Sequence, residues 1–342
     1  MDPLRPLNVD IEEHPQLVKW LRSRSLIDDH APDCENLTGG VSNKTVLVTS
    51  SSGSIVVKQA LSELRVATSW TCSPERIHRE GLGLRVLKSI LPSGATPNWL
   101  AEDETDHILV MSAIPKPHVN WKSLLFMGQS ETGEIDQFAA LLAAIHTAHI
   151  TEAMAPFHDT RFFEDLRLSP YYGYTASRVA ESAAFLHDLT EETRQQTDHL
   201  VHGDYSPKNV LVHNGQLILL DHEVMHVGDP AFDIGFAMTH LLSKAHHLTP
   251  HRRIFVNAAH QFWSRYATQT DADRDLAERA ARHTLACLLA RVSGRSPLEY
   301  LSPQEQQRQK AVCLEIMQAS AVTRMDVTMV IEWFIKGLGG TS

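Results

Sequence analysis

A single stretch, residues 202–223, constrains this chain more than any other. Residues 210–212 (Val-Leu-Val) and 217–220 (Leu-Ile-Leu-Leu) are apolar runs of strand length, and Asn214-Gly215 lies between them. Asn-Gly is the strongest short signal of a two-residue hairpin turn, because a type I′ turn needs a positive φ at both central residues. The stretch therefore predicts a loop, a strand, a tight turn and a second strand.

Acidic and amide side chains flank this predicted hairpin. Asp204 and Asn209 precede its first strand, and Asp221 follows its second strand. We expect the hairpin to bring all three close together. Two carboxylates and an amide at one point suit a hard cation such as Mg²⁺, which takes oxygen ligands and keeps water and phosphate oxygens in its shell. They also suit a catalytic loop with one aspartate free to accept a proton, whereas the plainer interpretation is a surface loop.

The order of these residues also resembles a known signature. His-Gly-Asp-x-x-x-x-Asn at 202–209 and Asp-x-Glu at 221–223 look like the catalytic motifs of the aminoglycoside phosphotransferase and choline kinase-like family. Its members are small-molecule relatives of the protein kinases, whose corresponding motifs are H-R-D-x-x-x-x-N and D-F-G. The resemblance implies that Asp204 orients an acceptor hydroxyl and takes its proton. It also implies that Asn209 and Asp221 are metal ligands that hold Mg²⁺ on the phosphates of ATP.

A weaker match to the same family precedes a predicted strand near the N-terminus. Gly39-Gly40-Val41-Ser42-Asn43 resembles the family's G-G-x-S-N nucleotide loop. Paired glycines let the backbone approach phosphates and direct N–H groups toward them. The resemblance makes Gly40, Ser42 and Asn43 candidates over the ATP phosphates, although Gly-Gly before a strand is by itself usually a plain turn.

Lys58 follows the apolar run 55–57, downstream of the glycine loop. In the family, a lysine at this place contacts the α- and β-phosphates and pairs with a glutamate on the next helix. We predict that Glu80 is that partner, with Glu75 as the alternative. A lysine at a strand end is otherwise commonly a solvated edge charge.

A proline-rich segment divides the chain into a strand-rich part and a helical part. Pro115 and Pro117 interrupt both helix and strand patterns. We predict an N-terminal nucleotide-binding lobe at 1–112, a hinge at 113–118 and a helical lobe at 119–342. By resemblance, the backbone of Met111 and Ala113 would hydrogen-bond the adenine, but a simple proline-rich linker fits the same pattern.

Further segments of the C-terminal part fit the same family. Gly-Asp-Pro at 228–230 followed by Asp233 resembles a family segment in which this aspartate buries its carboxylate against the backbone of the catalytic loop. Arg291 and Arg295 face an acceptor cleft or, as we favour, act as cations near the C-terminus of a helix. Apolar spacing predicts helices at 250–268, 272–292, 303–321 and 325–336.

Bulk properties restrict the class of protein. The chain has 342 residues, a net charge of −10 and four widely spaced cysteines. The acidic balance argues against nucleic acid as a partner, and no apolar stretch reaches the length of a membrane span. Lone cysteines indicate a reducing compartment, and residues 1–5 lack the apolar run of a signal peptide. We therefore expect a cytoplasmic protein without nucleic acid or membrane partners.

These observations together predict an α+β, two-lobed protein-kinase-like fold with a small antiparallel sheet and a larger helical lobe. The predicted activity is transfer of the γ-phosphoryl group of Mg·ATP to a hydroxyl of a small molecule. Only eleven residues separate Asp221 from Asp233, and there is no A-P-E segment to support a peptide substrate. A nucleotide-binding pseudokinase and an atypical protein kinase are the alternatives. Aminoglycosides, choline, sugars and amino alcohols all stay open as acceptors.

Overall fold

The computed structural model describes residues 9–38, 40–65, 70–129, 132–319 and 324–339. The chain forms two compact units. The first contains the described residues up to His118 together with Leu220–Val224, and the second contains Val119–Leu219 and the chain from Met225 onward. The division at His118 coincides with the end of the segment predicted as a hinge, whose hinge role stays a prediction. The return of Leu220–Val224 to the first unit was not predicted.

The first unit is built on an antiparallel sheet. Its strands are β1 (Asp33–Asn36), β2 (Asn43–Ser50), β3 (Gly53–Ala60), β4 (Trp99–Asp103) and β5 (Ile108–Ser112). They lie in the order β1-β2-β3-β5-β4, and every neighbouring pair is antiparallel. The unit also contains α1 (His14–Ser23) and α2 (Arg76–Ile90). Gly40 and Ser42 of the predicted nucleotide loop lie in the connection from β1 to β2.

The two helices cover opposite faces of β5. Ile108 and Val110 pack in one apolar cluster with Leu17 of α1. Leu109 packs in a second cluster with Ile77 of α2. Because successive strand residues point to opposite faces of a sheet, burial on both faces explains the unbroken apolar run of β5. The N-terminal helix thus serves as the cover of one sheet face.

The second unit contains the predicted hairpin. Its strands are β6 (Val119–Asn120), β7 (His199–Val201), β8 (Val210–His213), β9 (Gln216–Leu219) and β10 (His226–Gly228). β8 pairs with β9 in the register Val210–Leu219, and the turn residues Asn214 and Gly215 have φ values of 49° and 73°. Positive φ at both positions is what the Asn-Gly sequence predicted. β6 extends this sheet beside β8, and β7 pairs with β10.

Helices make up most of the second unit. They are α3 (Trp121–Phe126), α4 (Thr132–His146), α5 (Arg161–Phe163), α6 (Tyr174–Arg178), α7 (Ala183–Gln195), α8 (Pro230–His247), α9 (Arg252–Thr270), α10 (Arg274–Ser293), α11 (Pro303–Met317) and α12 (Val327–Gly337). A π-helix, Glu164–Gly173, joins α5 to α6. The four predicted C-terminal helices correspond to α9–α12, and the last predicted residues of α11 lie outside the described residues. Within the described ranges, no helix is both long and apolar enough to cross a membrane.

Candidate active site

Lys58 of β3 is the centre of a charged group in the first unit. Its Nζ donates hydrogen bonds to Oε1 and Oε2 of Glu80 at 2.7 and 2.8 Å. The same atom donates to Oδ1 of Asp221 at 3.0 Å. The Lys58–Glu80 pair is therefore the one predicted from the sequence, rather than the alternative with Glu75. It joins α2 to the segment that follows β9.

Three carboxylates converge around this lysine. Glu80, Asp221 and Glu223 each present an oxygen within 4.8 Å of the others. Burial raises the pKa of Glu80 to about 7, against the attraction of Lys58, and the charges of Asp221 and Glu223 act in the same direction as burial. Burial alone lowers the pKa of Lys58, but the charges of Asp221 and Glu80 outweigh it and hold the pKa above its usual value. One lysine thus faces more negative charge than it neutralises.

Glu223 is tied to the start of β2 and to α2. Arg76, which is fully buried, lies with its Nε 3.2 Å from Oε2 of Glu223. Nδ2 of Asn43 donates to the same oxygen at 3.0 Å. Arg76 also donates to the carbonyl oxygens of Ser42 and Leu61. The sequence analysis named Glu223 only as the last residue of the Asp-x-Glu motif. It missed Arg76, because no local sequence pattern distinguishes an arginine that is buried in the first turn of a helix.

Asp221 is the carboxylate in this group that a metal ion would reach first. Its side chain is 22% exposed, compared with 1% for Glu80 and 7% for Glu223. Glu80 and Glu223 are already held by Lys58 and Arg76. Asp221 also has a φ of 66°, which is uncommon for a residue other than glycine. Carboxylate oxygens with a surplus of negative charge fit Mg²⁺.

The glycine-containing connection between β1 and β2 leaves open space at Gly40. Among the described residues, a Cβ atom added there would meet only the carbonyl oxygen of Asn43, at 3.8 Å. Ser42 anchors the connection, because its carbonyl oxygen accepts from the N–H of Leu61 at 3.0 Å. The fold itself therefore does not require glycine at position 40. Gly39 lies outside the described residues.

The residues predicted to meet adenine lie at the end of β5. Met111 is buried, and it pairs with Val56 of β3 and with Trp99 of β4. The N–H of Ala113 donates to the carbonyl oxygen of Ser54 at 3.1 Å. Ala113 therefore has its carbonyl oxygen, and not its N–H, left for an adenine ring. The nucleotide contact itself stays a prediction.

In the second unit, Asp204 and Asn209 contact each other. Nδ2 of Asn209 donates to Oδ2 of Asp204 at 2.7 Å and to its carbonyl oxygen at 3.0 Å. The second carboxylate oxygen of Asp204 pairs with Nη2 of Arg167 at 2.8 Å. Two of the predicted site residues are thus together here, while Asp221 belongs to the first unit.

Arg167 is a residue that the sequence analysis missed. It lies in the π-helix Glu164–Gly173 and is buried. Its Nε donates to the carbonyl oxygen of Gly203 at 2.9 Å, and Nη1 donates to the carbonyl oxygen of Leu166 at 2.7 Å. Arg167 therefore fixes both the backbone at Gly203 and the carboxylate of Asp204. Neither a π-helix nor a contact over this sequence distance has a recognisable sequence signal.

Asp233 anchors the same loop from α8. Its carboxylate accepts from the N–H groups of His202 and Gly203 at 2.7 and 2.8 Å, and lies 3.2 Å from Nε2 of His146. Burial raises its pKa, but the hydrogen bond and charge of His146 and the charge of His202 outweigh burial and keep the pKa below its usual value. The predicted contact of Asp233 with the loop backbone is confirmed. Asp229 caps α8, because its Oδ1 accepts from the N–H of Ala231 at 3.0 Å.

Solved structures with this fold cover nearly the whole chain at low identity. An ADP-bound aminoglycoside phosphotransferase is 16% identical, covering 95% of this chain and 99% of that one, with a TM-score of 0.51. A choline/ethanolamine kinase family protein from Mesorhizobium loti is 15% identical, covering 92% and 99%, with a TM-score of 0.55. An amicoumacin kinase bound to AMP-PNP and Ca²⁺ is 13% identical, covering 93% and 96%, with a TM-score of 0.56.

These similarities define the fold as that of the protein-kinase-like small-molecule kinases, and they confirm the predicted fold class. The sequence model of the phosphotransferase enzyme family matches residues 33–255, which is more than half of the chain. The chain belongs to this family, as the catalytic motifs predicted. A search of curated protein sequences found no significant match.

Proposed function

We propose that this protein transfers the γ-phosphoryl group of Mg·ATP to a hydroxyl group of a small molecule. The observation that carries the proposal is the charged group of Lys58, Glu80 and Asp221. A lysine held by a buried glutamate, beside a more exposed aspartate, suits a polyphosphate and its metal ion. In the sequence, Asp221 and the Asp204–Asn209 pair stand on either side of one hairpin, β8–β9.

Asp204 has the central role in the proposed reaction. The acceptor oxygen forms a bond to the γ-phosphorus while the bond to the β–γ bridging oxygen breaks, and ADP leaves. Asp204 orients the hydroxyl group and takes its proton. Asn209 and Arg167 fix the carboxylate for this task, since each donates to one of its oxygens. Such positioning supplies a large share of the catalysis in phosphoryl transfer.

The nucleotide is held mainly by the first unit in this proposal. Asn209 and Asp221 are the residues proposed to hold Mg²⁺, which would supply neutralisation of charge on the phosphate oxygens. Lys58 binds the α- and β-phosphates. The remaining proposed nucleotide contacts are the connection around Gly40, Ser42 and Asn43, and the backbone at Met111 and Ala113. The known structures with bound ADP and AMP-PNP support ATP as the phosphoryl donor. All four cysteines are unpaired, which supports a reducing, cytoplasmic setting.

Replacing Gly40 by valine is expected to weaken Mg·ATP binding about tenfold or more, because the added side chain enters the space proposed for the phosphates. The melting temperature should change by less than about 2 °C, since the structure leaves room at this position. Isothermal titration calorimetry and thermal unfolding measure the two effects. Gly133→Val is the matched control, because Gly133 also has open space. If Gly40→Val binds Mg·ATP with the affinity of wild type, the β1–β2 connection does not contribute to the phosphate site.

Calorimetric titration of Mg·ATP tests the nucleotide half of the proposal. We expect wild type to bind Mg·ATP, and Asp221→Ala to lose at least about tenfold in affinity in the presence of Mg²⁺. The difference between the two proteins should become small when EDTA removes the metal. Asp188→Ala, which removes an exposed carboxylate from α7, is the control. Absence of binding in wild type would overturn the proposal.

A further inference from the structure

Lys244 of α8 is a buried cation in the second unit. Its side chain is fully buried, and its Nζ donates a hydrogen bond to the carbonyl oxygen of His240 at 3.2 Å. The ring centres of Phe126 and Tyr300 lie 5.4 and 5.8 Å from Nζ. Among the described residues, Lys244 forms no ion pair. A buried charge without a counter-ion is costly, so its presence calls for an explanation.

A second buried cation belongs to the same region. Arg291 of α10 donates from Nη1 to the hydroxyl of Tyr171 at 3.1 Å and to Oγ of Ser296 at 2.8 Å. Its Nε is buried and has no hydrogen-bond partner within the described part of the chain. Burial, followed by the charges of Lys122 and Arg291, lowers the pKa of Lys244 to about 7, against the opposing charge of Glu299. Lys244 and Arg291 are therefore near enough to repel each other.

Two hydroxyl groups of this region, those of Ser243 and Tyr300, are also buried. They lie near enough for the Ser243 hydroxyl to lower the pKa of Tyr300 against the effect of burial, and neither has another hydrogen-bond partner among the described residues. Buried polar atoms are nearly always paired. Lys244, Arg291, Ser243 and Tyr300, here named the cation cluster, thus combine two positive charges with unused hydrogen-bonding capacity. This combination is typical of a site for an anionic group.

The cation cluster connects to the proposed catalytic aspartate through Tyr171. The guanidinium carbons of Arg291 and Arg167 each lie 5.8 Å from the ring centre of Tyr171. Arg167 in turn pairs with Asp204. All of these residues belong to the second unit. An acceptor whose hydroxyl meets Asp204 could therefore extend another group toward Arg291.

We propose that the cation cluster binds an oxyanion group of the acceptor, a carboxylate or a phosphate, so that the substrate is an anionic alcohol. This inference rests on the proposed phosphotransferase function. Glu299 opposes the charge of Lys244, but it is itself paired with Lys122. The remaining positive charge of the cation cluster would repel the ammonium groups of aminoglycosides and choline. It would attract a hydroxy acid or a phosphorylated polyol. Of the acceptors left open by the sequence, the proposal disfavours aminoglycosides and choline.

The first test measures anion binding without nucleotide. Inorganic phosphate and acetate are added separately, with sodium chloride holding the ionic strength constant, and the melting temperature is recorded. We expect at least one anion to stabilise wild type, with an apparent affinity about tenfold lower in Lys244→Met and in Arg291→Met. Arg295→Gln, which removes an exposed arginine from the loop after α10, should behave as wild type. No stabilisation of wild type, or full stabilisation of both cluster variants, would overturn the proposal.

The second test compares acceptors sorted by charge. Pools of hydroxy acids, phosphorylated polyols, neutral polyols and amino alcohols are incubated with Mg·ATP, and ADP formation is measured. The proposal is supported if one anionic pool is turned over and if Lys244→Met reduces kcat/KM for that pool about a hundredfold. Which of the two anionic pools reacts shows whether the cluster binds a carboxylate or a phosphate. Turnover confined to neutral or cationic pools overturns it. A wild type that binds no Mg·ATP refutes the phosphotransferase function, while the anion-binding test still decides whether the cluster is a site.

Lys244→Met also has an expected effect on stability that a purely structural lysine would not show. The pKa of Lys244 in the folded protein, about 7, lies below its ordinary value of 10.5. As the pH rises, the folded state loses the Lys244 proton before the unfolded state does. The free energy of unfolding of wild type therefore increases between pH 7 and 10.5. The urea midpoint of Lys244→Met should exceed that of wild type at pH 6, and the excess should shrink by pH 9. The neighbouring His240, Lys122, Arg291 and Glu299 are unchanged in both proteins. If Lys244→Met is less stable than wild type at pH 6, Lys244 stabilises the fold, and this result would contradict the proposal.

Discussion

Replacing Asp204 by asparagine is expected to lower kcat by a factor of about 10² to 10⁴, the range for loss of a general base. Asparagine has nearly the same shape, but it cannot accept the hydroxyl proton. Its side-chain oxygen can still meet one of the two donors, Asn209 or Arg167, that now hold the carboxylate. The affinity for Mg·ATP without acceptor should therefore stay within about threefold.

Steady-state kinetics and calorimetry separate these two effects for Asp204→Asn. The matched control is Asp188→Asn, which removes an exposed carboxylate from α7 and should leave both quantities unchanged. A loss of Mg·ATP affinity as large as the loss of kcat would mean that Asp204 acts in nucleotide binding. If the kcat of Asp204→Asn is close to that of wild type, Asp204 does not take part in the chemical step.

Replacing Asp233 by alanine should have the largest effect on stability, a loss of about 3–5 kcal/mol in the free energy of unfolding. The substitution leaves the buried N–H groups of His202 and Gly203 without their acceptor and removes the charge beside His146. Unfolding in urea at pH 7 measures the loss. A loss below about 1 kcal/mol would show that the carboxylate does not hold the catalytic loop.

The pH dependence of the Asp233 contribution follows from the direction of its pKa. The folded protein keeps this pKa below the ordinary value of 3.8. The stabilisation is therefore present above pH 3.8 and is lost as the pH falls through the pKa of the folded state. The difference between wild type and Asp233→Ala should be constant from pH 5 to 7 and should shrink in stronger acid. Asp233→Asn, which retains one acceptor oxygen, should lose less stability than the alanine variant.

Much of the local structure could be predicted because its causes are local. Asn214-Gly215 requires a type I′ turn, and both residues have the positive φ that this turn needs. The apolar runs 46–48 and 55–57 have the length of strands, and the structure pairs them as β2 and β3. The Lys58–Glu80 pair was predictable because it joins a strand to the helix that follows it, at a spacing that the family resemblance supplied.

The features that escaped prediction depend on contacts between distant parts of the sequence. Arg167 reaches Asp204 from a π-helix, and Arg76 reaches Glu223 although the two residues are 147 positions apart in the sequence. Both arginines are buried, whereas an arginine in a sequence is normally expected at the surface. Arg291 illustrates the same limit. It lies in the last turn of α10, where a cation near a helix C-terminus was predicted, but its burial and its hydrogen bonds to Tyr171 and Ser296 were not predicted.

The most direct test of the central claim is Mg²⁺-dependent ADP formation with pooled acceptors, measured for wild type, Asp204→Asn and Asp221→Ala. We predict that at least one pool raises ADP formation in wild type well above the rate with ATP alone, and that it does so in neither variant. Loss of this stimulation on addition of EDTA should accompany the result. Stimulation of equal size in wild type and in both variants would contradict the assignment of Asp204 and Asp221 to phosphoryl transfer.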